Sequence, residues 1–189
     1  MVNIVIFGAP GSGKGTYSAA IAKKFGYGHI STGDVLRAEI QAGTELGRKA
    51  EQYMVKGQLI PDSLIIDIVK DIYRTRSDAK GVILDGFPRT IDQAEALKDF
   101  LSARGEKISL AANLIVSEDE LMRRLLERAV TEGRSDDNEE TIRRRFEVYE
   151  TQTRPLIEWF RKEGVLYEFT FKGDKDRMIE EIYGRIELC

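Results

Sequence analysis

The chain has 189 residues, 42% hydrophobic and 32% charged, with a formal net charge of -3. That length supports one sizeable core with small inserts, and the slight acidic surplus excludes a protein devoted to nucleic acid or to an anionic membrane surface, both of which reward a basic excess. The single cysteine, Cys189, excludes an internal disulfide and a cysteine-built zinc site and suits a reducing, cytoplasmic setting.

In chain order, the apolar run 2–7 reads as a strand at once, without the basic flank, long apolar core and cleavage site of a signal peptide. No apolar run approaches the roughly 20 residues that span a bilayer. Residues 8–16, GAPGSGKGT, then form a strand-to-helix turn rich in glycine. Gly8, Gly11, Gly13 and Gly15 let several backbone N–H groups converge where the following helix's N-terminus favours an anion, and Lys14 is placed to reach β- and γ-phosphates. The pattern G-x-x-x-x-G-K is met, with Gly15 where a hydroxyl usually follows and Thr16 one place later.

A second strand is expected at 28–30. Residues 31–60 carry two helical patterns outside the strand–helix alternation and read as an insert. The strand 82–85 ends in Asp85, a carboxylate beside the phosphate loop that can hold magnesium through water. The GFPRT that follows presents Arg89 from a proline-stiffened turn, suited to a bidentate phosphate contact. Thr90 with Gln93, and Ser117 with Glu120, have capping-box spacing; Asn138 and Asp174 are candidate N-caps.

Further strands are expected at 111–116 and 166–171, making five in a parallel sheet with helices on both faces. Arg124 and Arg128 share a helix face, a like-charge cost that Glu120 can relieve from the i−4 position. Arg143, Arg144 and Arg145 point about 100° apart and cannot all face one ligand; Arg123, Arg143 and Arg144 read as solvated. Residues 131–138 are short and polar and form a second insert, with Arg134 as a basic tip beside Asp136 and Asp137. Pro155 should end or bend the helical pattern over 139–162. Ligands of open α/β sheets bind beyond the carboxyl ends of the strands, so both inserts are placed to cover such a site.

Taken together, GAPGSGKGT at 8–16, STGDVLR at 31–37, KGQLIPD at 56–62, LDGFPRT at 84–90 with Gln93, and GRSDDNEETIRRR at 133–145 resemble, in order, the short-lid adenylate kinases, P-loop nucleoside monophosphate kinases. The resemblance covers essentially the full length. It implies a P-loop core (1–30, 61–127 and 139–189), an AMP-binding insert (31–60) and a short lid (128–138). It implies ATP contacts from Gly11, Ser12, Gly13, Lys14, Gly15, Thr16, Arg128 and the Gly173 backbone. AMP contacts would come from Thr32, Arg37, Gln58, Leu59, Ile60, Gly86, Phe87, Pro88, Arg89 and Gln93, with Arg134 and Arg145 gripping phosphates as the lid shuts. Lys14, Arg89, Arg128, Arg134 and Arg145 would gather round the transferred group with Mg²⁺ at Asp85; the lid lacks the long insertion and metal ligands of other members, so zinc is not expected. Gly15 after the lysine is the family's own pattern.

The expected reaction is reversible transfer of the γ-phosphoryl of Mg-ATP to AMP, giving two ADP, in nucleotide biosynthesis, by a cytoplasmic monomer that binds neither nucleic acid nor membrane. The acceptor is already an anionic oxygen, so no general base is needed and the lone His29 reads as structural. A UMP/CMP kinase is the nearest rival; Thr32 and Thr90 stand where that relative resembles Ala and Asn. A nucleotide-dependent switch of the GTPase kind would carry N-K-x-D, which is absent.

Overall fold

The molecule is described by a computed structural model covering residues 1–76, 79–132 and 138–189. The apolar run at the N-terminus forms β1 (Val2–Gly8), the central strand of a five-stranded parallel sheet. Beside it lie β3 (Gly81–Asp85) and β4 (Leu110–Ile115); β2 (Gly28–Ser31) and β5 (Leu166–Thr170) are the edges, in the order β2-β3-β1-β4-β5. All five strands fall within one residue of the sequence expectation at each end. Val5 pairs with Leu84 on one side and with Ala111 on the other.

Alternation along β1 divides the core in two. Val5 and Phe7 face a layer built by α4 (Asp62–Arg74), α5 (Ile91–Ser102) and α8 (Leu156–Lys162), where Val69, Leu101 and Phe160 are buried. Ile4 and Ile6 face α1 (Lys14–Phe25) and α9 (Lys175–Ile186) through Tyr17, Ile21, Met178 and Ile182. Each such side chain contributes about 1.5–3 kcal/mol on burial, so the continuous apolar runs of β1 and β3 fix this sheet between two layers.

The order in which strands are added changes sides at β1: β2 and β3 lie to one side, β4 and β5 to the other, all parallel. The ends of β1, β3 and β4 therefore splay apart at one place, the topological switch point where ligands of such sheets bind. The insert after β2 holds α2 (Thr32–Gln41), capped by Ser31 on the Asp34 N–H, and α3 (Glu45–Met54), capped by Thr44 on the Gly47 N–H. On the other side, α6 (Glu118–Glu132) and α7 (Glu139–Val148) flank the opening, and Asn138 caps α7 through the Thr141 N–H. Residues 133–137, including Arg134, lie outside the described residues.

The helical pattern over 139–162 breaks as its proline predicts. After α7 the chain forms a π-turn (Tyr149–Thr153), with the Arg154 N–H reaching the Tyr149 carbonyl at 2.8 Å, and α8 restarts after Pro155. Asp174 caps α9 through the N–H groups of Asp176 and Arg177. Among the described residues no helix is long and apolar enough to cross a membrane.

Candidate active site

The glycine loop leaves β1 at Gly8 and enters α1 with Gly13 as a left-handed N-cap (φ 91°) that carries no side-chain cap. A Cβ there would meet the Tyr17 ring at 3.0 Å, so glycine answers both the backbone and the space. The first turn of α1 thus keeps its N–H groups for an anion, as a phosphate cradle needs. Lys14 Nζ, half-buried, donates to the carbonyls of Gly8 at 2.9 Å and Ala9 at 3.0 Å. Burial drops its pKa from 10.5 to about 7; Asp85 works against that drop, while Arg89, Arg145 and Arg128 each add to it. Four cationic side chains from four elements thus share one field.

Asp85 stands at the end of β3 with its side chain 8% exposed, and His29 Nε2 on the neighbouring β2 lies 3.3 Å from its Oδ2. The next residue, Gly86, turns the chain at φ 74°; a Cβ there would come within 2.8 Å of Arg89 Nη2 and 2.9 Å of Thr32 Oγ1. Its carbonyl accepts from both, Arg89 Nε at 2.7 Å and Thr32 Oγ1 at 3.0 Å. One glycine carbonyl therefore orients a guanidinium and a hydroxyl across the same opening.

From the far wall, Arg124 on α6 stacks over the Phe171 ring at 4.3 Å and is held by Glu120 at 2.7 Å. The i−4 relief expected of Glu120 is what the structure contains. Hydrogen bonds from Arg123 and then Arg124 hold its carboxyl down at about 2. Arg123, Arg143 and Arg144 are solvated, paired with Glu127, Glu139 and Glu147 respectively. Arg123 also borders the opening at its rim, as do Arg128 and Arg145, whereas Arg143 and Arg144 do not.

These walls enclose a cleft of about 1010 Å³. Its lining joins Gly11, Gly13, Lys14, Gly15 and Thr16 to Thr32, Arg37 and the 58–60 segment of Gln58, Leu59 and Ile60. Asp85, Gly86, Pro88, Arg89, Gln93, Arg128 and Arg145, also singled out from the sequence, line it as well. The volume suits two nucleotide-sized ligands, and the charged groups meet at its floor.

A family model described as adenylate kinase matches residues 6–165. The chain is 55% identical over 187 residues to an adenylate kinase of Phocaeicola vulgatus, covering 99% of each. It is 56% identical over 182 residues to one of Bacteroides thetaiotaomicron (96% of each), and 50% over 186 residues to one of Porphyromonas gingivalis (98% of this chain, 94% of that one). The chain belongs to the adenylate kinase family. It is an enzyme, a kinase of the transferase class.

Not every residue singled out lines the cleft. Ser12 and Phe87 are buried behind the wall, Ser12 Oγ lying 3.4 Å from Lys14 Nζ and Phe87 packing into the core; Gly173 stands outside the lining. The Thr90–Gln93 capping box forms by half. Thr90 Oγ1 caps the Gln93 N–H at 3.2 Å, but Gln93 Oε1 accepts from Arg89 N–H at 2.7 Å, one residue before the cap. Asp62 decides this by accepting from Gln93 Nε2 at 2.7 Å and from Thr90 Oγ1 at 2.8 Å. The Thr90 hydroxyl is thus engaged within the protein and does not line the cleft. At the other expected box, Glu120 serves Arg123 and Arg124 instead.

Sequence reasoning missed Asp62, Thr153, the His29–Asp85 contact and the stacking of Arg124 on Phe171. Spacing could have found none of these, since each joins segments far apart in the chain. Magnesium fits what is present at Asp85. A Cβ built on Gly15 would lie 3.6 Å from Asp85 Oδ2, so the missing side chain leaves room between carboxylate and phosphate loop. Among the described residues no group of three or more metal-ligating side chains occurs.

Proposed function

We propose that the cleft binds Mg-ATP against the glycine loop and AMP against the insert, and that the γ-phosphoryl passes between them, reversibly giving two ADP. The convergence of Lys14, Arg89, Arg128 and Arg145 on one field beside Asp85 carries this reading. Phosphoryl transfer between nucleotides asks for positioning and charge neutralisation; the acceptor oxygen is already ionised, so no base is required.

In this reading the N-terminus of α1 and the loop N–H groups cradle the ATP phosphates, with Gly173 near its base. Lys14 regains its proton as anionic oxygens replace the repelling field of the arginines. Arg89 and Arg37 hold the AMP phosphate, Thr32, Gln93 and the 58–60 segment hold its base and ribose, and Gly86 with Pro88 keeps the wall between them. Arg128 and Arg145 flank the group in transit, with Arg134 joining from the 128–138 lid over the 31–60 insert and core. Asp85 holds magnesium through water; the ion neutralises phosphate charge when bound. Each cation is asked for about 3 kcal/mol of transition-state stabilisation, a typical share for one oriented electrostatic partner. Closure of lid and insert keeps water from the transferred group. The molecule works as a cytoplasmic monomer.

The test is diphosphate formation from Mg-ATP with AMP, CMP, UMP or dTMP in turn. AMP is expected to be consumed fastest by a wide margin. Preference for CMP or UMP would assign the chain to the pyrimidine relatives, and ATP binding without consumption of any acceptor would sink the transfer reading.

A further inference from the structure

Thr153 has no part in the reaction as read above, yet it is buried to 6% exposure and its hydroxyl donates to the Arg89 carbonyl at 2.9 Å, across 64 positions of chain. That contact closes a three-sided hold. Gln93 Oε1 takes the Arg89 N–H at 2.7 Å, and the Gly86 carbonyl takes Arg89 Nε at 2.7 Å. Gly86 and Gln93 lie within four residues of Arg89, whereas Thr153 reaches it from a distant element. Fixing the peptide N–H before the Cα and the carbonyl after it sets both backbone torsions of Arg89, and hence the direction in which its side chain leaves.

The π-turn accounts for position 153 facing the Arg89 turn. Pro155 has no N–H to continue the α-ladder, and the 2.8 Å bond from Arg154 N–H to the Tyr149 carbonyl takes in one residue more than an α-turn. In an unbroken α-helix the residues after Val148 would leave at a different phase, and another side chain would face the Arg89 turn. Tyr149 and Thr153 instead border the cleft together. The single hydroxyl proton of Thr153 is committed to Arg89, so towards a bound phosphate it has nothing to donate.

We infer that Thr153 is a positioning residue for Arg89, holding the guanidinium at the height where acceptor and transferred phosphoryl meet. The inference rests on the reading of Arg89 as a phosphate-gripping residue. Misplacing a catalytic group by about 1 Å costs up to about a hundredfold, and loss of one of three holds is expected to cost roughly tenfold.

The experiment is a double-mutant cycle on the full chain with Thr153→Val, Thr153→Ser, Arg89→Ala and the Thr153→Val/Arg89→Ala pair, followed by steady-state kinetics, calorimetric AMP binding and thermal unfolding. Thr153→Val is expected to lower kcat/KM for AMP roughly tenfold and weaken AMP binding, with KM for ATP unchanged. Thr153→Ser, which keeps the hydroxyl, is expected to restore both. In the Arg89→Ala background, Thr153→Val is expected to have no further effect. Equal losses from Thr153→Val in both backgrounds, or equal impairment of the Val and Ser variants, would overturn the inference while leaving Arg89 in place. Normal rates in Arg89→Ala would instead overturn the reading of Arg89 and the inference with it.

Discussion

At the end of the sheet where β1 and β4 begin, Tyr73 Oη lies 2.6 Å from Asn3 Oδ1 and 2.5 Å from Glu106 Oε2, one proton between two acceptors, Asn3 Nδ2 donates to Glu106 at 3.2 Å, and Arg104 Nε closes on Glu106 Oε1 at 3.2 Å. At the opposite end, where β1 and β3 finish, Lys14 is set among Arg89, Arg128 and Arg145. Both groups are polar and largely enclosed, but their electrostatics run in opposite senses. Burial works to raise the Glu106 pKa, yet bonds from Tyr73, Asn3 and Arg104 outweigh it and the net shift is downward. Burial and then Glu106 drive the Tyr73 phenol upward, so it stays a donor. Each group there stabilises the state its neighbour needs. At the cleft, burial and three like charges together disfavour the charged lysine, and a phosphate would relieve that cost. One end of the sheet is complete in itself; the other is arranged for a ligand.

The sharpest way to break that contrast is at the cleft. Lys14→Ala and Arg89→Ala are each expected to slow transfer roughly a hundredfold or more with the fold retained by circular dichroism, since each removes an oriented charge from the transition state. Normal turnover in either would take that residue out of the mechanism. Gly86→Ala should come next: its Cβ would displace Arg89 Nη2 and Thr32 Oγ1, and with φ at 74° the backbone resists relief. A loss of roughly tenfold or more in AMP affinity by calorimetry is expected, with ATP binding spared. Unchanged AMP affinity would show that the turn is not where the acceptor binds.

The closed end should answer to stability instead. Tyr73→Phe leaves Asn3 and Glu106 short of a buried donor and is expected to cost about 1–3 kcal/mol in urea unfolding while kcat stays put. An altered kcat would mean that the two ends are coupled. The smallest effect is a pH profile. Lys14 titrates near 7 when folded and at 10.5 in the ordinary case, so between those values the unfolded chain binds a proton that the native chain has shed, and stability rises with pH through that window. Below about pH 7 the native chain carries the unfavourable buried charge, which Lys14→Met removes. The variant should therefore gain most over the parent in acid, and the gap should close towards pH 10 as the parent loses its proton. Parallel profiles for parent and variant would show that the lysine is not strained. ATP binding just above pH 7 should draw a proton from solution, read by calorimetry in two buffers of different ionisation heat.

Much of this was legible in the chain because its signals are local. Apolar runs bounded by turns place all five strands, and cap residues such as Asn138 and Asp174 mark helix starts, because strand burial and N-cap bonding depend on neighbours within a few residues. Glycines interleaved with Lys14 announce a phosphate loop for the same reason: backbone conformation is a property of the residue itself. The 143–145 run also sorts correctly by helical phase, since only Arg145 turns to the cleft.

What the tertiary structure alone decided are the partners of those residues. The spacing of Thr90 and Gln93 reads as a reciprocal cap, but Asp62 from another helix takes one side of the Gln93 amide and sends the other to Arg89. His29 is legible as a strand residue; that it meets Asp85 follows from β2 pairing with β3, which no local pattern encodes. Pro155 foretells a break, while the side chain that the break aims, Thr153 onto Arg89, depends on how the π-turn packs against the turn after β3. Local conformation is fixed by short-range sterics and capping that a sequence carries openly. The convergence of cations from α1, α6, α7 and the turn after β3 is fixed by packing between distant segments, and that is where the chemistry resides.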